Sequence, residues 1–126
     1  MSWTSKYFSY DEMKCKCGCG EAPMDNDFMY LLDSIREGMG KPLYISSGYR
    51  CANHPIEKKK LRPGAHSTGK AADLLVDGED AQRVLLAALL LEFNRIGIQQ
   101  KGSGRFIHLD TATEEDGFPA PALWSY

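Results

Sequence analysis

A carboxylate in the middle of an apolar strand is the tightest constraint on this chain. Asp73 sits within Lys70-Ala71-Ala72-Asp73-Leu74-Leu75-Val76, a stretch that reads as a short buried strand. Period two places Ala71, Asp73 and Leu75 on one face and Ala72, Leu74 and Val76 on the other. A bare charge among small and apolar neighbours is strongly unfavourable, so the fold must bring a cation, a donor network or a metal to Asp73.

Two histidines are candidates to meet it. His66 lies in the preceding loop, Gly64-Ala65-His66-Ser67-Thr68-Gly69, and His108 lies in a second strand, Arg105 to Asp110. In that strand His108 and Asp110 share one face while Ile107 and Leu109 take the other. If the two strands are neighbours, His108 and Asp73 converge and His66 folds in from the loop. Two histidines and one carboxylate are the usual protein share of a catalytic zinc site, with the fourth position open to water or substrate. The set His66, Asp73 and His108 therefore points to hydrolysis. His54, followed by Pro55, reads as a turn residue and not a ligand.

The rest of the chain supplies a frame. Ser9-Tyr10-Asp11-Glu12 has the spacing of a capping box, and a simple polar turn is the other reading. Phe28, Leu31, Leu32, Ile35 and Met39 recur at helical spacing from Asn26 to Met39, with Gly38 and Gly40 at the end. Pro42 precedes an extended Leu43-Tyr44-Ile45-Ser46, which delivers Arg50 to a loop. Acidic Asp77-Gly78-Glu79-Asp80 starts a helix over Ala81 to Phe93. Its centre is apolar nearly all round, which predicts the most buried helix. Arg95 to Gln99 and the strand carrying His108 form an antiparallel hairpin across Lys101-Gly102-Ser103-Gly104. The expected fold is α+β: helices packed on a small antiparallel sheet in a single domain, 1–126.

Composition narrows the partners. The 126 residues carry 15 basic and 17 acidic side chains, so no global field argues for nucleic acid or membrane. Lys58-Lys59-Lys60-Leu61-Arg62 reads as a solvated loop. Leu85 to Leu91, the longest apolar run, is far too short to span a bilayer. No signal peptide is visible, so the expectation is a cytoplasmic product on synthesis, reaching an outside substrate through lysis or a virion. Cys15, Cys17, Cys19 and Cys51 leave three states open: free thiols, one disulfide, or a second metal site closed by four thiolates.

Ser46-Ser47-Gly48-Tyr49-Arg50, His66 and Asp73 in a Gly-x-Ala-x-Asp context, Phe106-Ile107-His108-Leu109-Asp110 and the terminal Trp124-Ser125-Tyr126 occur in the order found in one family. From roughly Tyr7 to Tyr126 the chain resembles the zinc D-alanyl-D-alanine carboxypeptidases. That family includes bacterial wall carboxypeptidases, L-alanyl-D-glutamate endopeptidases and phage lysins, and shares its fold with the hedgehog signalling domain. The resemblance implies one zinc ion on His66, Asp73 and His108. It implies a substrate-facing arginine at Arg50, with Ser47 and Tyr49 of the same motif as further substrate-binding candidates. The implied substrate is a peptidoglycan stem peptide, taken by a monomer.

Two features depart from the family pattern: Gly64 stands where Ser is common, and Arg105 and Phe106 stand where a Glu or His general base is placed. Asp110 is the first candidate for the base; its other reading is acceptor for the free ring nitrogen of a ligand histidine. Glu114 and Glu115 are further candidates. Trp124 and Tyr126 are expected to close the core or the rim. The alternative to a peptidase is a zinc-stabilised cell-wall-binding module without catalysis. A cysteine-metal nucleic-acid binder is opposed by the near-neutral charge.

Overall fold

The computed structural model describes residues 3–126. A capping box on Ser9 and Glu12 starts the short helix α1 (Tyr10–Met13). Helix α2 (Asn26–Met39) begins where the Asp25 side chain accepts the Phe28 N–H, and ends at Gly40. Strand β1 (Ile45–Ser47) follows, then the one-turn helix α3 (Pro55–Lys58), capped by His54, and a 3-10 turn over Ala65–Thr68. Strand β2 (Ala71–Leu74), helix α4 (Gly78–Leu90), strands β3 (Arg95–Gln99) and β4 (Phe106–Asp110), and a last strand β5 (Ala122–Ser125) complete the chain.

The sheet order is β1-β2-β4-β3-β5. The first three pairings are antiparallel, but β5 runs parallel to β3, so the sheet is mixed where an antiparallel one was expected. The α+β class stands. Ala72, Leu74, Ile96, Ile107 and Leu109 point from one face into the main core, where they meet Phe28, Met29, Leu32 and Val84. Each large apolar side chain buried in this way contributes about 1.5–3 kcal/mol.

The most buried helix is α2, with Phe28, Met29, Leu32, Ile35 and Met39 inside, and not α4 as its composition suggests. Only Ala81, Val84 and Ala88 of α4 are buried, while Leu86, Leu89 and Leu90 are 59 %, 59 % and 75 % exposed. A helix laid on one sheet face buries one stripe; among the described residues nothing covers the outer leucines. No helix among those residues is long and apolar enough to cross a membrane.

The opposite face of the sheet carries polar side chains. Register aligns Ser47 with Asp73, Asp73 with His108, His108 with Gly97 and Gly97 with Trp124. One row thus crosses all five strands, and the loops after β1 and β4 fold over it. Ala65, Ala71 and Ala112 form a small second core on this side, with Phe118 packed against it.

Candidate metal centre

Pairing β2 with β4 sets Asp73 directly across from His108, and the 3-10 turn lays His66 above them. One ligand atom from each of the three lies within 4.8 Å of the others, and all three residues are buried. The His108 Nδ1 is 2.9 Å from Asp73 Oδ1, and the His66 Nε2 is 3.3 Å from the same oxygen.

The far side of each ring decides what the near side offers. The His66 Nδ1–H donates to the Gly48 carbonyl at 2.7 Å, and the His108 Nε2–H donates to Asp110 Oδ2 at 2.7 Å. Both partners can only accept, which fixes the tautomer of a neutral ring and turns the other nitrogen's lone pair towards Asp73. Lone pairs aimed at a carboxylate oxygen repel each other unless a cation lies between them. Where protons instead of a metal fill that gap, burial pushes the Asp73 carboxyl up, but the hydrogen bonds and charge of His108 and His66 outweigh it and hold it well below the usual carboxylate range. Burial pushes His108 down, yet Asp110 and Asp73 together raise it. This donor set fits a divalent metal held by two imidazoles and a carboxylate.

Asp110 is fully buried. Its oxygens accept from Arg95 Nε at 2.9 and 3.1 Å, from the Ala112 N–H at 3.1 Å and from His108. Arg95 in turn lies under the rings of Trp124 and Phe118, at 4.9 and 5.1 Å from their centroids. A carboxylate with no exposure and this many donors is built to orient an imidazole; it presents no oxygen to water. Glu114 lines a separate depression with Gly117 to Pro121, away from His66, Asp73 and His108.

A cleft of about 400 Å³ opens over the three residues, with Arg50, Lys60, Phe106, Trp124 and Tyr126 in its wall. Residues 6–110 match the family described as Peptidase M15. The chain belongs to the peptidase M15 family. As an M15 member it is a metallopeptidase of the zinc type, acting on peptide bonds. No curated protein matches the chain.

The M15 match ends at Asp110, whereas the wall of the cleft continues into β5. Trp124 reaches the cleft because Gly97 has no side chain: a Cβ there would stand 2.5 Å from the indole Nε1. The Trp124 and His108 ring centroids are 5.2 Å apart. Tyr126 is 54 % exposed and packs on Phe106, so these terminal aromatics form the rim.

Arg50 is one of three cationic side chains that line the cleft, with Lys60 and Arg95. Its Nε donates to Ser47 Oγ at 3.0 Å, its Nη1 to Glu57 Oε2 at 3.1 Å, and its Nη2 lies 3.7 Å from Asp73 Oδ2. Ser47 therefore serves Arg50 and does not itself line the cleft. Tyr49 does not line it either: its N–H is held by the Met13 carbonyl at 2.8 Å and its ring packs against the main core. The backbone of Gly48 is pressed on Met13, where a Cβ would stand 2.7 Å from the carbonyl oxygen, and of this motif Arg50 enters the wall.

Sequence reasoning missed Glu57 and Arg95. Glu57, on α3, is buried and accepts from Arg50, Lys60 and the Gly64 N–H. Its place among lysines carried no sign of burial.

Proposed function

We propose that this M15 peptidase cleaves peptidoglycan stem peptides, as a D,D-carboxypeptidase or an L-alanyl-D-glutamate endopeptidase. The observation that carries this reading is the guanidinium of Arg50 beside the His66, Asp73 and His108 cluster in one cleft. Zinc bound there by those three side chains supplies a Lewis acid and lowers the pKa of water towards neutrality.

The chain's own residues do the rest. Arg50 has five donors, of which Nε and one on Nη1 are committed to Ser47 and Glu57. Its remaining N–H groups offer a fork to a substrate carboxylate or to charge developing on the scissile carbonyl oxygen. Lys60 adds positive charge to the same wall, and Trp124 and Phe106 present apolar surface to the peptide backbone. Asp110 and Gly48 hold the two imidazoles in register, so the cleft is preorganised and loses little on binding.

The second reading, a zinc-stabilised wall-binding module, is favoured by one observation: among the described residues the cleft lining contains no carboxylate side chain besides Asp73. Digestion of purified peptidoglycan, with products identified by mass spectrometry, separates the two. Released stem-peptide fragments or D-alanine that vanish with chelator and in His108→Ala support the peptidase. Wall binding without any product, from folded and zinc-loaded protein, supports the module.

A further inference from the structure

Cys15, Cys17, Cys19 and Cys51 lie outside the cleft. Their sulfurs are all within 4.8 Å of one another. The Cys15 and Cys51 sulfurs are 3.6 Å apart and those of Cys17 and Cys51 3.3 Å. A disulfide needs about 2.05 Å, whereas four sulfurs on a tetrahedral zinc with bonds of about 2.3 Å stand about 3.8 Å from each other. The observed spacing is close to the edge of that tetrahedron, and it gathers four sulfurs where a disulfide needs two.

The backbone is shaped to this end. The loop after α1 turns back on itself at Gly18 and Gly20, both at positive φ, and is closed by the Cys15 N–H on the Glu21 carbonyl at 2.8 Å. Cysteines at alternate positions of the loop thereby face one point. The fourth comes from the segment that follows Arg50. The Cys51 N–H donates to Cys15 Sγ at 3.3 Å and the Glu21 N–H to Cys19 Sγ at 3.4 Å, the kind of donor that stabilises sulfur as thiolate.

We propose that these four cysteines form a second, structural zinc site that ties the loop after α1 to the segment carrying Arg50. Four protein ligands leave no open position, so the ion takes no part in hydrolysis. Its work is to fix Cys51, and through it the neighbouring Arg50, against Met13 and the α1 loop.

The test measures zinc and cobalt on the whole chain. The wild type should carry about two zinc ions per chain, and His108→Ala and the Cys17→Ser/Cys19→Ser double variant should each carry about one. Cys17 and Cys19 are exposed, so their replacement removes little packing. Cobalt loaded into the wild type and into His108→Ala should show the sulfur-to-cobalt charge-transfer absorption, and that band should be lost in the double variant. The double variant should also melt lower than the wild type, and chelation should abolish the difference. A wild type without the cobalt–thiolate band, or one whose intact mass shows a disulfide among these cysteines as purified, overturns the site. Because the band is read in His108→Ala, its presence or absence is independent of whether the cleft is catalytic.

Discussion

Glu57 holds Arg50 in place. The carboxylate is wholly buried, accepts the Arg50 Nη1–H at 3.1 Å, and with its other oxygen accepts the Gly64 N–H at 2.6 Å. It thus joins α3, the cleft arginine and the start of the turn that carries His66. Glu57→Ala leaves Arg50 without its partner in a largely buried setting, and removing one member of such a pair costs about 3 kcal/mol or more. The expected outcome is a lower urea midpoint together with a fall in kcat/KM, because the guanidinium then folds onto Asp73. Denaturant titration and steady-state kinetics on the same preparation check both.

The same carboxyl predicts a pH dependence. Burial pushes Glu57 up, but the Gly64 N–H, Arg50 and Lys60 outweigh that and hold it below its ordinary value of 4.5. A depressed folded-state pKa contributes stability that is complete above the unfolded value and lost as pH falls through the folded one. Unfolding midpoints taken at steps below about pH 5 should therefore decline more steeply for the wild type than for Glu57→Gln. Parallel curves would remove Glu57 from the account of acid sensitivity.

Asp110→Asn separates an orienting carboxylate from a proton acceptor. With Asp110 accepting from His108 Nε2 and bound to Arg95, the amide should weaken zinc binding by about 10- to 100-fold, the usual effect of changing the partner of a ligand histidine. Competition against a calibrated chelator reads this directly. Unchanged affinity with lost turnover would instead make Asp110 the base.

Gly97→Ala tests the rim. The added methyl meets the Trp124 indole at 2.5 Å, so β5 or the ring must shift, at a cost of about 1–3 kcal/mol for overpacking. A lower Tm and altered tryptophan fluorescence are expected, with zinc content unchanged because His66, Asp73 and His108 are untouched.

Much of this was written locally. Asp73 announced a buried cation site because nothing near it in sequence could satisfy it, and the bounds of α2 followed from apolar spacing closed by glycines, those of β3 from the glycine turn after it. Other features depend on segments far apart. Glu57 reads as solvated until Arg50 is brought across it, and Arg95 reads as the polar start of a strand until Asp110 and Trp124 enclose it. The parallel pairing of β5 with β3 has no local signature, since it depends on where the chain returns after β4. In α4, an all-apolar stretch has no polar face to show which side meets the sheet, and the leucines left outside could not be told from those inside.

The alignment of Asp73 with His108 across β2 and β4 has a consequence for quality of folding. Successive side chains on a strand point to opposite faces, so a slip of one residue would send Asp73 or His108 into the core and bring an apolar neighbour into the cleft. The site has no graded, half-assembled form along this coordinate. A chain that pairs wrongly is silent, and the specific activity of any preparation counts only the molecules whose strands found their proper partners.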